Sequence, residues 1–313
     1  MSRGQFVARR LIQMVPVLIG ITVIVFALIQ AIPGDPATTM LGLQARPEAV
    51  AALNRELGLD RPLWEQYARY LGDVATLDLG ESLKFKVAVA SLLQTRLAVS
   101  LFLIAYATAL TILIALPLGI AAALRKDGPF DQIVRALLMV TMVMPGFWVG
   151  ILLLIVFSIR LGLFPVSGYG QGFGGHLYHL FLPALTIALS LSPILVRSLR
   201  GSILEAMGSD YVKTARAKGL RERAVVLAHV LRNALIPAVT LLGLSVGYLM
   251  GGTVIIENVF SLPGAGKLLV ESIGARDYPV VQSTTLVFAA LVILVNLATD
   301  LVYSFLDPRV RLG

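Results

Sequence analysis

Apolar residues along this chain fall in long unbroken blocks, not in the alternating or helical-face patterns of a fold surrounded by water. Uncharged runs cover Leu11–Gly34, Leu97–Leu124, Ala136–Ile159, Leu177–Val196, Asn233–Ile256 and Tyr278–Thr299. Each matches or exceeds the roughly 20 residues needed to cross about 30 Å of hydrocarbon as a helix. In lipid every backbone N–H and C=O must be paired internally, which leaves helices or a closed barrel. Barrel strands alternate over about 10 residues, and these runs do not. The pattern predicts an all-α membrane protein with six transmembrane helices, the later five spanning about 99–124, 136–159, 177–199, 233–256 and 280–305.

Composition agrees with the pattern. The 313 residues are 57% hydrophobic and only 14% charged, where a soluble domain carries about 25% charged residues. Cysteine is absent, which removes disulfide frameworks, thiolate metal sites and Cys nucleophiles. The first run follows Arg3, Arg9 and Arg10. It is too long for a signal-peptide core and lacks a small-residue cleavage pattern, so it is expected to remain as helix one. The net charge of +8 is distributed unevenly. With six spans, one side receives Arg3, Arg9, Arg10, Arg125, Lys126, Arg135, Arg197, Arg200, the basic residues of 213–232, Arg309 and Arg311. The positive-inside bias places that side, and both termini, in the cytoplasm. A surplus facing the membrane surface removes the motive for a nucleic-acid role.

Three segments between the runs carry the remaining information. The first, Pro33 to Arg96, opens with Ile32-Pro33-Gly34-Asp35-Pro36. It predicts two short amphipathic helices, Pro47–Leu57 ended by Gly58, and Pro62–Leu71 with Trp64, Tyr67, Ala68 and Leu71 on one face. This extracytoplasmic segment serves either as a packing cap or as a contact for a partner. The second, Arg160 to Tyr178, is glycine-rich and expected to be a flexible loop. Gly170, Gly172 and Gly175 satisfy G-x-G-x-x-G, yet no strand precedes them. His176 and His179 have no evident third ligand, so no metal is expected.

The third segment, Arg197 to Arg232, greatly exceeds the roughly 2–8 residues that join neighbouring helices. Within it, Asp210 to Leu220 reads as a short helix, with Ser209 or Asp210 as its cap, basic residues in its last turn and Gly219 at a left-handed end. Tyr211, Ala215 and Ala217 offer a small-residue surface that a cleft on another protein could grip; a solvated basic helix lying against anionic lipid is the alternative.

The string DYVKTARAKGL followed by HVLRNALIP resembles the cytoplasmic signature loop of binding-protein-dependent ABC importer permeases. Lys213 and Thr214 stand where the general pattern has Glu and Ala, and Pro237 lies farther from Gly219 than it expects. Both departures are in keeping with the dipeptide, oligopeptide and nickel branch. Ile32-Pro33-Gly34-Asp35-Pro36, Leu57-Gly58-Leu59-Asp60-Arg61-Pro62, Asp78-Leu79-Gly80-Glu81-Ser82 and the string from Glu257 to Gly266 extend the likeness over the whole chain.

The resemblance implies a type I ABC importer permease fold, with residues 1–95 as an N-terminal transmembrane helix plus a short helical extracytoplasmic segment. It implies a permease domain over 96–307 containing a cytoplasmic coupling loop at 200–232. Asp210, Tyr211, Lys213, Thr214, Ala215, Arg216, Ala217, Lys218 and Gly219 would form the coupling helix that docks on an ATP-binding subunit. Implied partners are a homologous second permease in a heterodimer, two ATP-binding subunits, an extracytoplasmic solute-binding protein and membrane lipid. No cofactor is expected, and the implied location is a bacterial inner membrane, with dipeptides or oligopeptides as cargo.

The chain is not expected to be an enzyme. Its nearest approach to a phosphate-binding loop, Gly264-Ala265-Gly266-Lys267, is followed by Leu268 instead of Ser or Thr. An ion-gradient-driven secondary transporter is the rival, and of ionisable residues in the spans only Asp300, with Asn296 one turn earlier, approaches what it needs. Pro145, Gly146 and Pro237 are candidate hinges. Gly243, Gly247 and Gly251 recur every fourth residue and let one helix face approach a neighbour closely, within the subunit or across an interface.

Overall fold

The computed structural model describes residues 3–31, 36–42 and 45–306, all in helices or their connections, with no sheet among them. The elements are α1 (Arg3–Ala31), α2 (Pro36–Leu41), α3 (Pro47–Leu57), α4 (Leu63–Ala75), α5 (Val89–Leu124), α6 (Pro129–Val143), α7 (Gly146–Leu153), α8 (Gly172–Gly208), α9 (Asp210–Ala217), α10 (Glu222–Ala224), α11 (Leu231–Val259), α12 (Ala265–Gly274) and α13 (Tyr278–Leu306). Two π-helical stretches, Leu154–Arg160 and Val225–Val230, continue α7 and join α10 to α11. The turn at Ile32–Asp35, Arg309 and Arg311, and the side chains of Arg3, Arg9, Arg10 and Asp300 lie outside the described residues.

Four helical stretches are long and apolar enough to cross a bilayer: 89–124, 172–208, 222–259 and 278–299. Large apolar side chains lie bare along them, among them Leu113, Tyr248 and Leu294, a surface suited to lipid. The run expected as one span over 136–159 is broken in its middle by a sharp bend, at the candidate hinge residues Pro145 and Gly146. α6 and α7 meet at a bend of 103°. Met144 and Pro145 are extended there, with ψ of 127° and 134°. Proline lacks the N–H that would continue the ladder, and it drives the residue before it out of helical geometry.

Two compact units emerge from the internal contacts, one of Ser100–Leu262 with Leu294 onward, the other of the residues before Ser100 with Pro263–Ile293. In the first, α8 is the central helix: 61% of its apolar window is buried, against 28% for α11. α6, α7 and α11 pack on it, and a seam of small residues (Ala115, Ala122, Ala123, Ala206, Ala234 and Ala238) brings backbones close. Hydroxyls buried in α8 return to their own helix, Thr186 Oγ1 donating to the Leu182 carbonyl at 2.8 Å and Ser192 Oγ to Ala188 at 2.6 Å. The glycine-rich loop of this unit is pinned and is not the floppy connection expected from its composition. Tyr169 stacks on His176 at 3.8 Å. The His176 and His179 rings are each tied by Nδ1 to a loop carbonyl, that of Tyr169 at 2.9 Å and that of Ser167 at 3.1 Å. Gly170, at φ +72°, leaves no room for a Cβ beside Gly175 and His179.

In the second unit, α3 occupies the expected residues and ends at Gly58 with φ 70°. α4 lies on α1 through a different face from the one expected. Tyr67 and Tyr70 pack around Phe26, and Tyr67 shares a 2.9 Å hydrogen bond with Thr22, while Trp64 is 70% exposed and Ala68 is exposed. The loop before α5 is fastened by Asp277, fully buried just ahead of α13. Its carboxylate accepts from the Ser82 hydroxyl and from the backbone N–H groups of Leu83 and Lys84, both at 3.1 Å.

Candidate functional site

α9 hangs between the two most strongly packed helices of the first unit, α8 and α11. It starts where Ser209 turns extended at ψ 154°. The Ser209 hydroxyl donates back to the Ala206 carbonyl and does not cap the new helix, and no other side-chain cap forms. The end is as the sequence predicts: Gly219 adopts φ +78°, and its N–H donates to the Arg216 carbonyl at 2.9 Å. A side chain there would be strained, because left-handed backbone is readily tolerated only by glycine.

The helix has two contrasting faces. Val212 and Ala215, three residues apart, are 0% and 5% exposed in the cluster that includes Ile203, Ala206, Val225 and Val230. Ala215 is therefore a seat on this chain's own body and not a surface open to another protein, which corrects the expectation for that residue. Helical periodicity is the cause, since positions 212 and 215 share a face. Polar ties reinforce the seat: Asn233 Nδ2 donates to the Tyr211 hydroxyl at 3.1 Å, and Arg216 forms a two-pronged bond with Glu222 that begins at 3.0 Å from Nε. That bond raises the Arg216 guanidinium above its ordinary pKa. The outer face presents Lys213, Thr214, Ala217 and Lys218, all exposed, with Leu220 beyond them. Lys213 is held by Asp210 at 2.9 Å. The seat joins α9 to α8, through the turn at Ser209, and to the Val225–Val230 stretch that leads into α11.

The hinge and packing candidates do not gather at α9. Pro145 and Gly146 form the α6–α7 break, where a Cβ on Gly146 would come within 2.9 Å of the Ser190 hydroxyl. α11 runs through Pro237 without interruption. Gly243 and Gly247 face α13 of the same chain, where a Cβ on Gly243 would overlap Thr299 and one on Gly247 would meet Asn296 at 3.1 Å; Gly251 faces open space.

Sequence reasoning passed over two buried carboxylates of this unit. Glu257 is fully buried and accepts from the Ser100 hydroxyl at 2.6 Å. Asp131 is fully buried and takes two bonds of 2.7 Å from Arg200 and one of 3.0 Å from the Asp127 N–H. Their signal was an acid at the margin of an apolar run, which reads equally well as an interfacial charge. No cluster of His, Cys, Asp and Glu among the described residues could hold a metal ion.

Residues 115–312 match the profile of the family described as binding-protein-dependent transport system inner membrane component, and residues 3–103 match that family's N-terminal profile. The chain belongs to this family. It is 38% identical to the dipeptide transport system permease protein DppB of Escherichia coli K12, over 98% of each chain. It is 40% identical to a putative peptide transport system permease protein of Brucella abortus, over 97% of this chain and 98% of that one. A glutathione transport system permease protein, GsiC of Salmonella paratyphi A, is 37% identical over 98% of each. Its fold is shared with a chain of the MetNI methionine ABC transporter in an inward-facing conformation, with a TM-score of 0.57 at 17% identity over 69% of this chain and 96% of that one. This inner membrane component is thus a permease subunit of an ABC importer, and family membership decides against an ion-gradient-driven carrier.

Proposed function

We propose that this permease subunit forms half of a path for dipeptides or oligopeptides, driven by ATP hydrolysis on separate subunits, with α9 as the element those subunits grip. The names of the relatives support the cargo class, since three similar permeases are described as dipeptide, peptide and glutathione transporters. The observation that carries the mechanical reading is the two-faced α9, seated by Val212 and Ala215 and presenting lysines outward. A stiff helix tied to two spans passes a rigid-body movement of its partner on to the path.

In this reading there are six spans: α1, α5, the bent α6–α7 pair counted once, α8, α11 and α13. The cluster of basic residues about α9 supports an orientation with α9 and both termini in the cytoplasm of a bacterium, and the segment holding α2, α3 and α4 on the outer side. Residues 1–95 are the added N-terminal helix and outer segment, and 96–307 the permease domain. The path lies between this subunit and a homologous second permease, a solute-binding protein delivers peptide outside, and two ATP-binding subunits close on the loop at 200–232. Asp210, Tyr211, Lys213, Thr214, Arg216, Ala217, Lys218 and Gly219 make or shape the gripped surface, and Ala215 holds it from beneath. Pro145, Gly146 and Pro237 are the pivots.

Gly219→Pro tests this, because proline cannot adopt φ near +78°. In vesicles holding the complete importer, ATP-driven dipeptide uptake should fall to background while the subunit still inserts. Unchanged uptake would remove α9 from the mechanism.

A further inference from the structure

Between α6 and α8 lies a cavity of about 260 Å³, bordered by Arg135, Arg197 and Arg200 at one end and by Leu138, Met142 and Pro193 at the other. It belongs wholly to the first unit and shares no residue with α9. The two helices run in opposite directions along it. On the α6 wall Arg135 is followed on the same face by Leu138 and Met142; on α8, Arg197 and Arg200 lie about one and two turns beyond Pro193. The cavity is graded, cationic where α6 starts and purely apolar about two turns deeper.

Its charges are unequally matched. Arg200 is spent on Asp131, with two bonds of 2.7 Å. Arg135 keeps only long contacts, 3.5 Å to Asp131 and 3.9 Å to Asp127, and is 45% exposed. Arg197 is exposed and forms no hydrogen bond or ion pair with any described residue. The carboxylate that faces the arginines, Asp131, is fully buried behind them, so the wall seen from the cavity is basic. A free guanidinium beside an apolar slot calls for an anion that carries its own hydrocarbon. Inorganic phosphate would satisfy Arg197 and Arg135 and leave Leu138, Met142 and Pro193 facing water. An amphiphile satisfies both ends at once.

We propose that this cavity binds an anionic membrane phospholipid, its phosphate between Arg197 and Arg135 and the first methylenes of a chain against Leu138, Met142 and Pro193. Arg200 acts at one remove, held by Asp131 so that the floor of the site stays fixed. Lipid bound here would brace α6 against α8 just ahead of the 103° bend between α6 and α7.

The test uses the complete importer in nanodiscs of phosphatidylcholine, with and without phosphatidylglycerol, reading the thermal unfolding midpoint and the lipid retained after purification. Wild type should be stabilised by phosphatidylglycerol and should retain it. Arg197→Gln should weaken that retention about fivefold, the usual worth of one basic side chain at an anionic surface. Gly201→Phe supplies a second variant, at a position of the cavity wall where an added Cβ meets nothing within 4 Å and the backbone need not move to admit it. It should fill the slot and abolish the lipid effect. Equal phosphatidylglycerol retention by wild type and both variants would overturn the proposal. So would stabilisation by inorganic phosphate, or by a dipeptide, equal to that by the lipid. Uptake is not the readout, so failure here leaves the role of α9 standing, and failure of the α9 test leaves this site standing.

Discussion

The α9 handle and the loop before α5 are both short connections fixed to a helical body, and they are fixed in opposite ways. α9 is seated by two apolar side chains, Val212 and Ala215, with its ion pairs left on the surface. The loop at 82–84 is fixed by one buried carboxylate, Asp277, which collects a hydroxyl and two backbone N–H groups. An apolar seat is non-directional, held by close packing along one face of the helix and not by fixed bonds. A carboxylate with three donors fixes position in three directions. The contrast fits a moving handle in the first case and a fixed clasp in the second.

Charging the apolar seat is the strongest way to break this contrast. Val212→Asp would bury an unpaired carboxylate and should cost about 4 kcal/mol or more locally. α9 should detach, read as rapid proteolysis within 209–221 and loss of uptake. Next, Asp277→Ala removes the acceptor of the buried Ser82 hydroxyl and of the N–H groups of half-buried Leu83 and exposed Lys84, at about 1–3 kcal/mol for the buried group left unsatisfied. The thermal midpoint of the complex should drop and proteolysis should open at 82–86, with α9 unaffected. Gly243→Val should come third. It forces α11 and α13 apart at Thr299, an overpacking cost of about 1–3 kcal/mol, visible as a lower unfolding midpoint. The smallest effect should follow Arg216→Ala, because water screens an ion pair as exposed as the one with Glu222. A large loss of stability there would mean that the surface pairs, and not the apolar face, hold the handle.

The same contrast explains what could be read from sequence. α3 and α9 were legible because proline, glycine and charge punctuate them: Pro47 and Gly58 bound one, Ser209 and Gly219 the other. The apolar runs were legible because lipid imposes length. The 103° bend was not, since a proline in an apolar run fits a gently kinked span equally well, and the packing of α6 and α7 on α8 selects the sharp turn. The clasp was invisible because Ser82 and Asp277 are 195 residues apart and neither sits in a periodic pattern. For α4, the aromatic spacing was seen but its buried face was not, as that depends on where Phe26 of α1 lies. At α9 the helix was legible, and which of its small residues faced inward was decided by the seat under it.

The absence of cysteine from this chain allows the central claim to be tested at single positions. Lys218→Cys on the exposed outer face of α9, and Phe173→Cys in the first turn of α8, where the side chain is 70% exposed, would be treated with a short bifunctional thiol-to-amine reagent in the complete importer. The account predicts a covalent product between Lys218→Cys and an ATP-binding subunit, altered by nucleotide, and none from Phe173→Cys. Absence of that product, or labelling of Lys218→Cys by an impermeant thiol reagent added outside intact cells, would contradict it.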